Sequence, residues 1–176
     1  MMLKLIVIAL SAILIGGIIY WDNKTLPQDM GSSVYTLDKQ DQAYDSLTHF
    51  SFQTLEGKTS STQDLKHDTL LVHFWAGWCT SCFAEFPLLL EHVKRQKGKV
   101  ALLAISIDQK QESYERFMKR LEKEMEQDLM QDNVYWIWDH DRSISLHGFN
   151  TVRVPETIVV NKERQMVDKI VGPGIW

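Results

Sequence analysis

The 176-residue chain holds two cysteines, Cys79 and Cys82, set three positions apart in Trp78-Cys79-Thr80-Ser81-Cys82. At the start of a helix that spacing puts two thiols within bridging reach, and the free backbone N–H groups and helix dipole there stabilise a thiolate. Such settings lower a cysteine pKa from about 8.5 into a range of roughly 3.5 to 7.5. Cys79 is then a nucleophile near neutral pH, and Cys82, one turn along, displaces the product of its attack. On the residues alone two other readings stay open. An inert bridge would close so small a loop that it removes little chain entropy. A metal site, as in a copper-handling module, would have two thiolates, half of a tetrahedral shell, with His73 the nearest upstream imidazole. A four-thiolate zinc site and a disulfide-dense miniprotein are excluded. With 19 Lys and Arg against 23 Asp and Glu, a formal charge of −4, no general phosphate-binding surface is implied and nucleic acid is not an expected partner.

The elements that must position this pair follow from the hydrophobic pattern. Leu70 to Trp75 is a nearly continuous apolar run of strand length, as expected of a strand covered on both faces. It ends just before the cysteines. Phe83, Phe86, Leu89, Leu90 and Val93 then recur at helical spacing until Gly98. Val100 to Ile107 predicts a second buried strand closed by Asp108, and Tyr114, Phe117, Met118, Leu121 and Met125 mark a long amphipathic helix. Val134 to Trp138 is a further strand, Ile144 to Leu146 fall in a short helix, and Thr157–Val160 with Met166–Val171 form a hairpin about Asn161 to Arg164. Upstream, Phe50, Phe52 and Leu55 alternate before a Glu56-Gly57 turn, which predicts a small hairpin ahead of the main sheet. Strand, helix, strand, helix, then strands requires right-handed parallel crossovers followed by an antiparallel pair, an α/β class with a mixed central sheet.

Phe74, Trp75, Ala76, Trp78, Cys79, Cys82, Glu85 and Pro87, within His73 to Leu90 (HFWAGWCTSCFAEFPLLL), closely resemble the active-site segment of exported, membrane-tethered thioredoxin-like proteins. That group includes the thiol-disulfide oxidoreductases of cytochrome c maturation. The resemblance covers about residues 46–172 and implies a thioredoxin-like fold whose only redox group is the Cys79–Cys82 disulfide, with no bound cofactor or metal. Val154-Pro155-Glu156-Thr157 is similar to the family's cis-proline loop, in the Pro-Glu-Thr form of the cytochrome c maturation members. By that resemblance Pro155 has a cis peptide bond beside Cys79, and the Val154 backbone is free to pair with an extended client strand. Glu85 follows Cys82 by one helical turn and so shares its face. A partly buried carboxylate there exchanges a proton with Cys82, a role the resemblance also assigns to an acid at this position. Glu156 is a second candidate acid, and Trp78 offers clients an apolar platform. The resemblance further implies a reducing role, with an apocytochrome c as client and a membrane thiol donor as the electron source.

Three departures from the family pattern stand out. His73 replaces a buried Asp or Asn, so a neutral imidazole either shuttles a proton or serves as a hydrogen-bonding core residue. Asn150 replaces a glycine and must tolerate positive φ. After Val-Gly-Pro-Gly-Ile-Trp the sequence stops at Trp176, where the superfamily continues into a final helix; either another element, such as the tether, covers that face of the sheet, or a partner does, or the sequence is incomplete.

Leu5 to Trp21 carries no charge over 17 residues, roughly 26 Å as a helix, close to the ~30 Å of a hydrocarbon core. Lys4 on one side and Tyr20 with Trp21 on the other suit the two interfaces. The expected organisation is an uncleaved anchor over residues 1–21, a polar tether over 22–45 and a thioredoxin-like domain over 46–176. The charge distribution places that domain on the outer face of the cell membrane, where disulfides persist.

Overall fold

The computed structural model describes residues 49–54, 57–125, 129 and 131–176. The expected anchor and tether lie outside the described residues. Among those described, no helix is long and apolar enough to cross a membrane.

Among the described residues seven strands and two α-helices follow one another: β1 (Ser51–Gln53), β2 (Thr59–Ser61), β3 (Thr69–Trp75), α1 (Thr80–Arg95), β4 (Val100–Ser106), α2 (Gln111–Met125), β5 (Val134–Trp138), β6 (Glu156–Val160) and β7 (Met166–Val171). The main sheet runs β5-β4-β3-β6-β7, and β1 pairs antiparallel with β2 in a sheet of its own. β3 is parallel to β4 and β4 to β5, whereas β6 is antiparallel to both β3 and β7. The sheet is therefore mixed, and β3, at its centre, is buried from Leu70 to Trp75.

Two successive parallel steps in one direction, each crossing over with the right-handed sense, place α1 and α2 on the same face of the sheet. The aromatic side chains meet there. Phe117 of α2 packs against Phe83 and Phe86 of α1 at ring separations of 5.4 and 5.6 Å, and against Trp75 of β3 at 4.2 Å. Phe74, the neighbour of Trp75, points to the other face by the period of two along a strand. It meets Phe149, which packs on Phe50, and on that face Phe52 of β1 lies against Tyr135 of β5.

The short helix expected around Ile144 to Leu146 is a π-helical segment, Ser143–Gly148. Asp139, which follows β5, holds its start: the carboxylate accepts the backbone N–H of Ile144 at 3.1 Å and of Ser145 at 2.7 Å. β6 begins one residue earlier than the pattern suggested, because Glu156 pairs in register with both Phe74 and Val171. Asn150 has φ of 50°, a conformation Asn accepts at lower cost than most residues.

Phe117 fills the space between α1 and the sheet. Phe117→Ala should lower the unfolding free energy by about 3–5 kcal/mol in chemical denaturation. A loss under about 1 kcal/mol would show that the aromatic cluster does not bind α1 to the sheet.

Candidate active site

The end of β3 and the start of α1 set the geometry of the cysteine pair. Cys79 is the N-cap of α1, with extended backbone angles (φ −87°, ψ 103°). Its carbonyl accepts the N–H of Phe83 at 3.2 Å, and its sulfur accepts the N–H of Cys82 at 3.1 Å. A sulfur thus occupies the place where Ser, Asp or Asn usually satisfies the orphan donors of a first helical turn. The two cysteines form a disulfide, S–S 2.06 Å. Cys82 is wholly buried, while Cys79 retains 6% exposure. Attack from outside therefore reaches Cys79 first.

The loop before the pair is held from β4. The carboxylate of buried Asp108 accepts the Gly77 N–H at 2.6 Å and the Ser106 hydroxyl at 2.8 Å, and the Asp108 carbonyl accepts the Trp138 indole N–H. Gly77 is required there, because a Cβ at this position would sit 2.5 Å from the backbone oxygen of Ser113 in α2. The two tryptophans flanking this loop differ in role. Trp75 is fully buried among Phe86, Tyr114, Phe117 and Trp136, whereas Trp78 is 69% exposed beside Cys79.

The Val154–Pro155 peptide bond is cis. Because Glu156 pairs with Phe74, Pro155 lies at the end of β3 from which the cysteine loop departs. Val154 is partly exposed, and Val152, two residues before it, is 67% exposed. Glu156 is buried, and its carboxylate is engaged: Oε1 accepts the Thr151 hydroxyl at 2.5 Å and lies 3.1 Å from Lys169 Nζ. That ties the proline loop to β7 and leaves Glu156 occupied on the side of Oε1.

Glu85 sits one turn past Cys82 on α1 and is buried. Its Oε1 accepts the backbone N–H of Gly174 at 2.8 Å and the Trp176 indole N–H at 2.5 Å, and its Oε2 is buried without a hydrogen-bond partner. Burial pushes the carboxyl above its ordinary range, an effect the two N–H donors offset only in part. The 172–176 segment following β7 thus folds back onto α1. Trp176 packs against the core and lies 5.9 Å from His92.

A family model described as Redoxin matches residues 42–176. The chain belongs to the Redoxin family. Thiol-disulfide oxidoreductase ResA of Bacillus subtilis is 26% identical over 125 residues, covering 70% of this chain and 64% of that protein. Thioredoxin-like protein YneN of the same species is 38% identical over 64 residues, 36% of this chain and 38% of that one. The chain thus spans less than two thirds of the length of these relatives. Among solved structures, StoA from Bacillus subtilis is similar with a TM-score of 0.59 at 20% identity, over 73% of this chain and 90% of that one. The thioredoxin domain of a thiol-disulfide oxidoreductase from Bacteroides vulgatus gives a TM-score of 0.60 at 22% identity, over 75% and 90%. These likenesses show the thioredoxin-like fold.

In this Redoxin-family chain the site contains residues that the sequence pattern did not single out as functional. Asp108 closes β4 but also anchors the cysteine loop, and an acid directly after a buried strand is the signal that could have revealed it. Arg142 donates to the Thr151 carbonyl at 2.8 Å, and the Thr151 N–H donates to Ser145 at 2.8 Å, so the π-helical segment braces the proline loop. Gly174 and Trp176 carried no local signal, since their partner Glu85 lies 89 and 91 residues away in the chain. Among the described residues no three His, Cys, Asp or Glu side chains are grouped as a metal would need.

His73 is fully buried in β3, shares a 2.8 Å hydrogen bond through Nδ1 with Thr157 directly across on β6, and meets Phe86 edge-on at 5.1 Å. Burial lowers its pKa from 6.5 to about 3, so the folded protein keeps the ring neutral while the unfolded chain takes up a proton near pH 6.5. This group's stabilisation is complete above that pH and declines as the pH falls toward 3, by about 1.4 kcal/mol per unit. His73→Gln should flatten the acid-side decline of unfolding free energy, measured in urea between pH 6.5 and 4, by about one proton. Equal slopes for the two proteins would contradict a neutral buried imidazole.

Proposed function

We propose that the chain is a thiol-disulfide oxidoreductase that reduces disulfides of exported client proteins. The observation that carries this reading is the Cys79–Cys82 disulfide at the head of α1, where the Cys79 sulfur accepts a backbone N–H and keeps the little exposure the pair has. In the reduced protein that N–H and the helix dipole stabilise a Cys79 thiolate. The thiolate attacks a client disulfide, the client's second sulfur leaves as a thiolate, and a mixed disulfide joins client to Cys79. Cys82 gives its proton to the Glu85 carboxylate and attacks the Cys79 sulfur. The client is released with two thiols, and the Cys79–Cys82 disulfide forms again. A dithiol donor then resets the pair.

Client binding is assigned to Trp78 and the Val154-Pro155 loop. The exposed indole and Val152 supply apolar surface, and the Val154 backbone supplies a strand edge. Glu156 is read here as the residue that fixes this loop through Thr151 and Lys169. The Pro155-Glu156-Thr157 resemblance supports an apocytochrome c, with its Cys-x-x-Cys oxidised, as client. The uncharged run from Leu5 to Trp21 supports a membrane anchor, a domain on the outer face and a membrane dithiol as donor.

Cys82→Ser should accumulate a mixed disulfide through Cys79 when expressed with its exported clients, and mass spectrometry of the captured species should identify a Cys-x-x-Cys protein. A variant that captures nothing, while Cys79→Ser retains disulfide exchange, would contradict the assignment of Cys79 as the attacking thiol.

A further inference from the structure

We propose that Gly174 and Trp176 are positioning residues for Glu85: by holding Oε1 with two N–H donors, they leave Oε2 as the oxygen that carries the proton exchanged with Cys82. This rests on the reading of Glu85 as the partner of Cys82.

A carboxyl group has two oxygens, and which one takes the proton depends on what each already accepts. Oε1 is saturated by the Gly174 backbone and the Trp176 indole, donors at 2.8 and 2.5 Å. A proton on Oε1 would confront two N–H groups that have nothing else to bond. Oε2 is buried and free of any partner among the described residues, so the protonated acid carries its hydrogen there. The acid is thereby fixed in one tautomer, with Oε1 committed to the 172–176 segment and Oε2 left without a partner, one helical turn along from Cys82.

The segment is shaped for this contact. Gly172 has φ of 93° and its N–H bonds to the Pro155 carbonyl at 2.9 Å, so the chain leaves β7 from the proline loop itself. Gly174 lies under the indole, where a Cβ would meet ring atoms at 2.6 to 2.7 Å. Ile175 is fully exposed, while Trp176 turns inward. An apolar residue left in water beside one folded back onto a carboxylate shows a turn organised around the Glu85 contact. Through Gly172 and Pro155 the same segment links the acid to the client loop.

The other titratable and charged groups around α1 leave Glu85 as the one placed to exchange a proton. On α1 itself these are Cys82, His92, which faces the Trp176 ring, and at the far end Glu91, Lys94 and Arg95, of which Glu91 and Arg95 are paired and exposed; from α2, Arg120 lies over the Phe83 ring and is paired with Glu124. On β3 beneath the helix stands His73, kept neutral by burial. On the next strands Glu156 and Lys169 are paired with each other.

In the forward step for resetting the enzyme, a donor thiolate attacks the Cys79 sulfur, the S–S bond breaks, and Cys82 leaves as a thiolate that takes the proton from Oε2. Glu85 remains as a carboxylate whose negative charge the two N–H groups now stabilise. Loss of the indole donor disfavours that carboxylate and raises the pH at which the acid is spent.

The test is reduction of the full-length oxidised protein by dithiothreitol, its rate divided by the dithiothreitol thiolate concentration and followed from pH 5 to 10. The wild type should show a fall in this rate as Glu85 ionises, absent in Glu85→Gln. Trp176→Phe, which keeps the ring but loses the N–H, should retain the fall and move it to higher pH. In parallel, the Trp176 indole resonance of the ¹⁵N-labelled wild type should titrate with the same inflection and become flat in Glu85→Gln. A Trp176→Phe profile that superimposes on the wild type, or an indole resonance that ignores the inflection, overturns the positioning role and leaves the Glu85 reading intact. Retention of the fall in Glu85→Gln overturns the Glu85 reading itself. Should Trp176→Phe fail to fold, the indole titration in the wild type decides alone.

Discussion

A sulfur at the N-cap of α1 is the constraint on which the rest of the site depends. The cap position of a helix needs an acceptor, and here the acceptor is Cys79, whose Sγ takes the N–H of Cys82. One backbone donor therefore ends the helix, aligns the second cysteine behind the first, and stabilises negative charge on the first when the bridge opens. Polar side chains that cap as well as a thiolate are common, but none of them can exchange a disulfide. The requirement is transmitted backward to β3, which must stop at Trp75, and forward to α1, which must bury Phe83 and Phe86 so that Cys82 faces inward.

Two neighbouring arrangements keep the cap in place. From β4, Asp108 grips the loop at Gly77, and the missing side chain of Gly77 lets α2 approach. From β6, the register of Glu156 with Phe74 brings the cis-proline loop level with the end of β3, where Glu156, Thr151, Lys169 and Arg142 brace it. The first clamp comes from the turn just after β4 and the second from the loop before β6 together with β7, not from the helix that carries the thiols. The faces of β3 are covered separately, by Phe86 and Phe117 against Trp75 on one side and by Phe149 against Phe74 on the other, and His73 alone interrupts its apolar run.

The parts of this design that obey local periodicity were legible in the residues. Leu70 to Trp75, Val100 to Ile107 and Val134 to Trp138 read as buried strands because both faces of each are apolar, and the helical stripes of α1 and α2 stand out against a charged background. The cysteine spacing and its place between strand and helix pointed to a pair able to bridge, as it does, and resemblance added the cis peptide bond at Pro155. Long-range polar contacts were not legible. Nothing near Glu85 in the chain announces Trp176, and nothing near Gly77 announces Asp108, because a hydrogen bond across 31 or 91 residues leaves no periodic trace. The same limit applies to Glu156, whose contacts with Thr151 and with Lys169 of β7 had no local signal. His73 departs from the family pattern at a position where Thr157, directly opposite, partners its Nδ1 and burial keeps the ring uncharged, while its Nε2 is buried without a partner among the described residues.

The central claim is that the Cys79 sulfur is a stabilised anion at neutral pH, and the most direct measurement is the rate of its alkylation by iodoacetamide in the reduced protein as a function of pH. The account predicts an inflection well below the ~8.5 of a free cysteine, with Cys79 modified far ahead of buried Cys82. An inflection at the free-cysteine value, with both thiols reacting at ordinary rates, would contradict it.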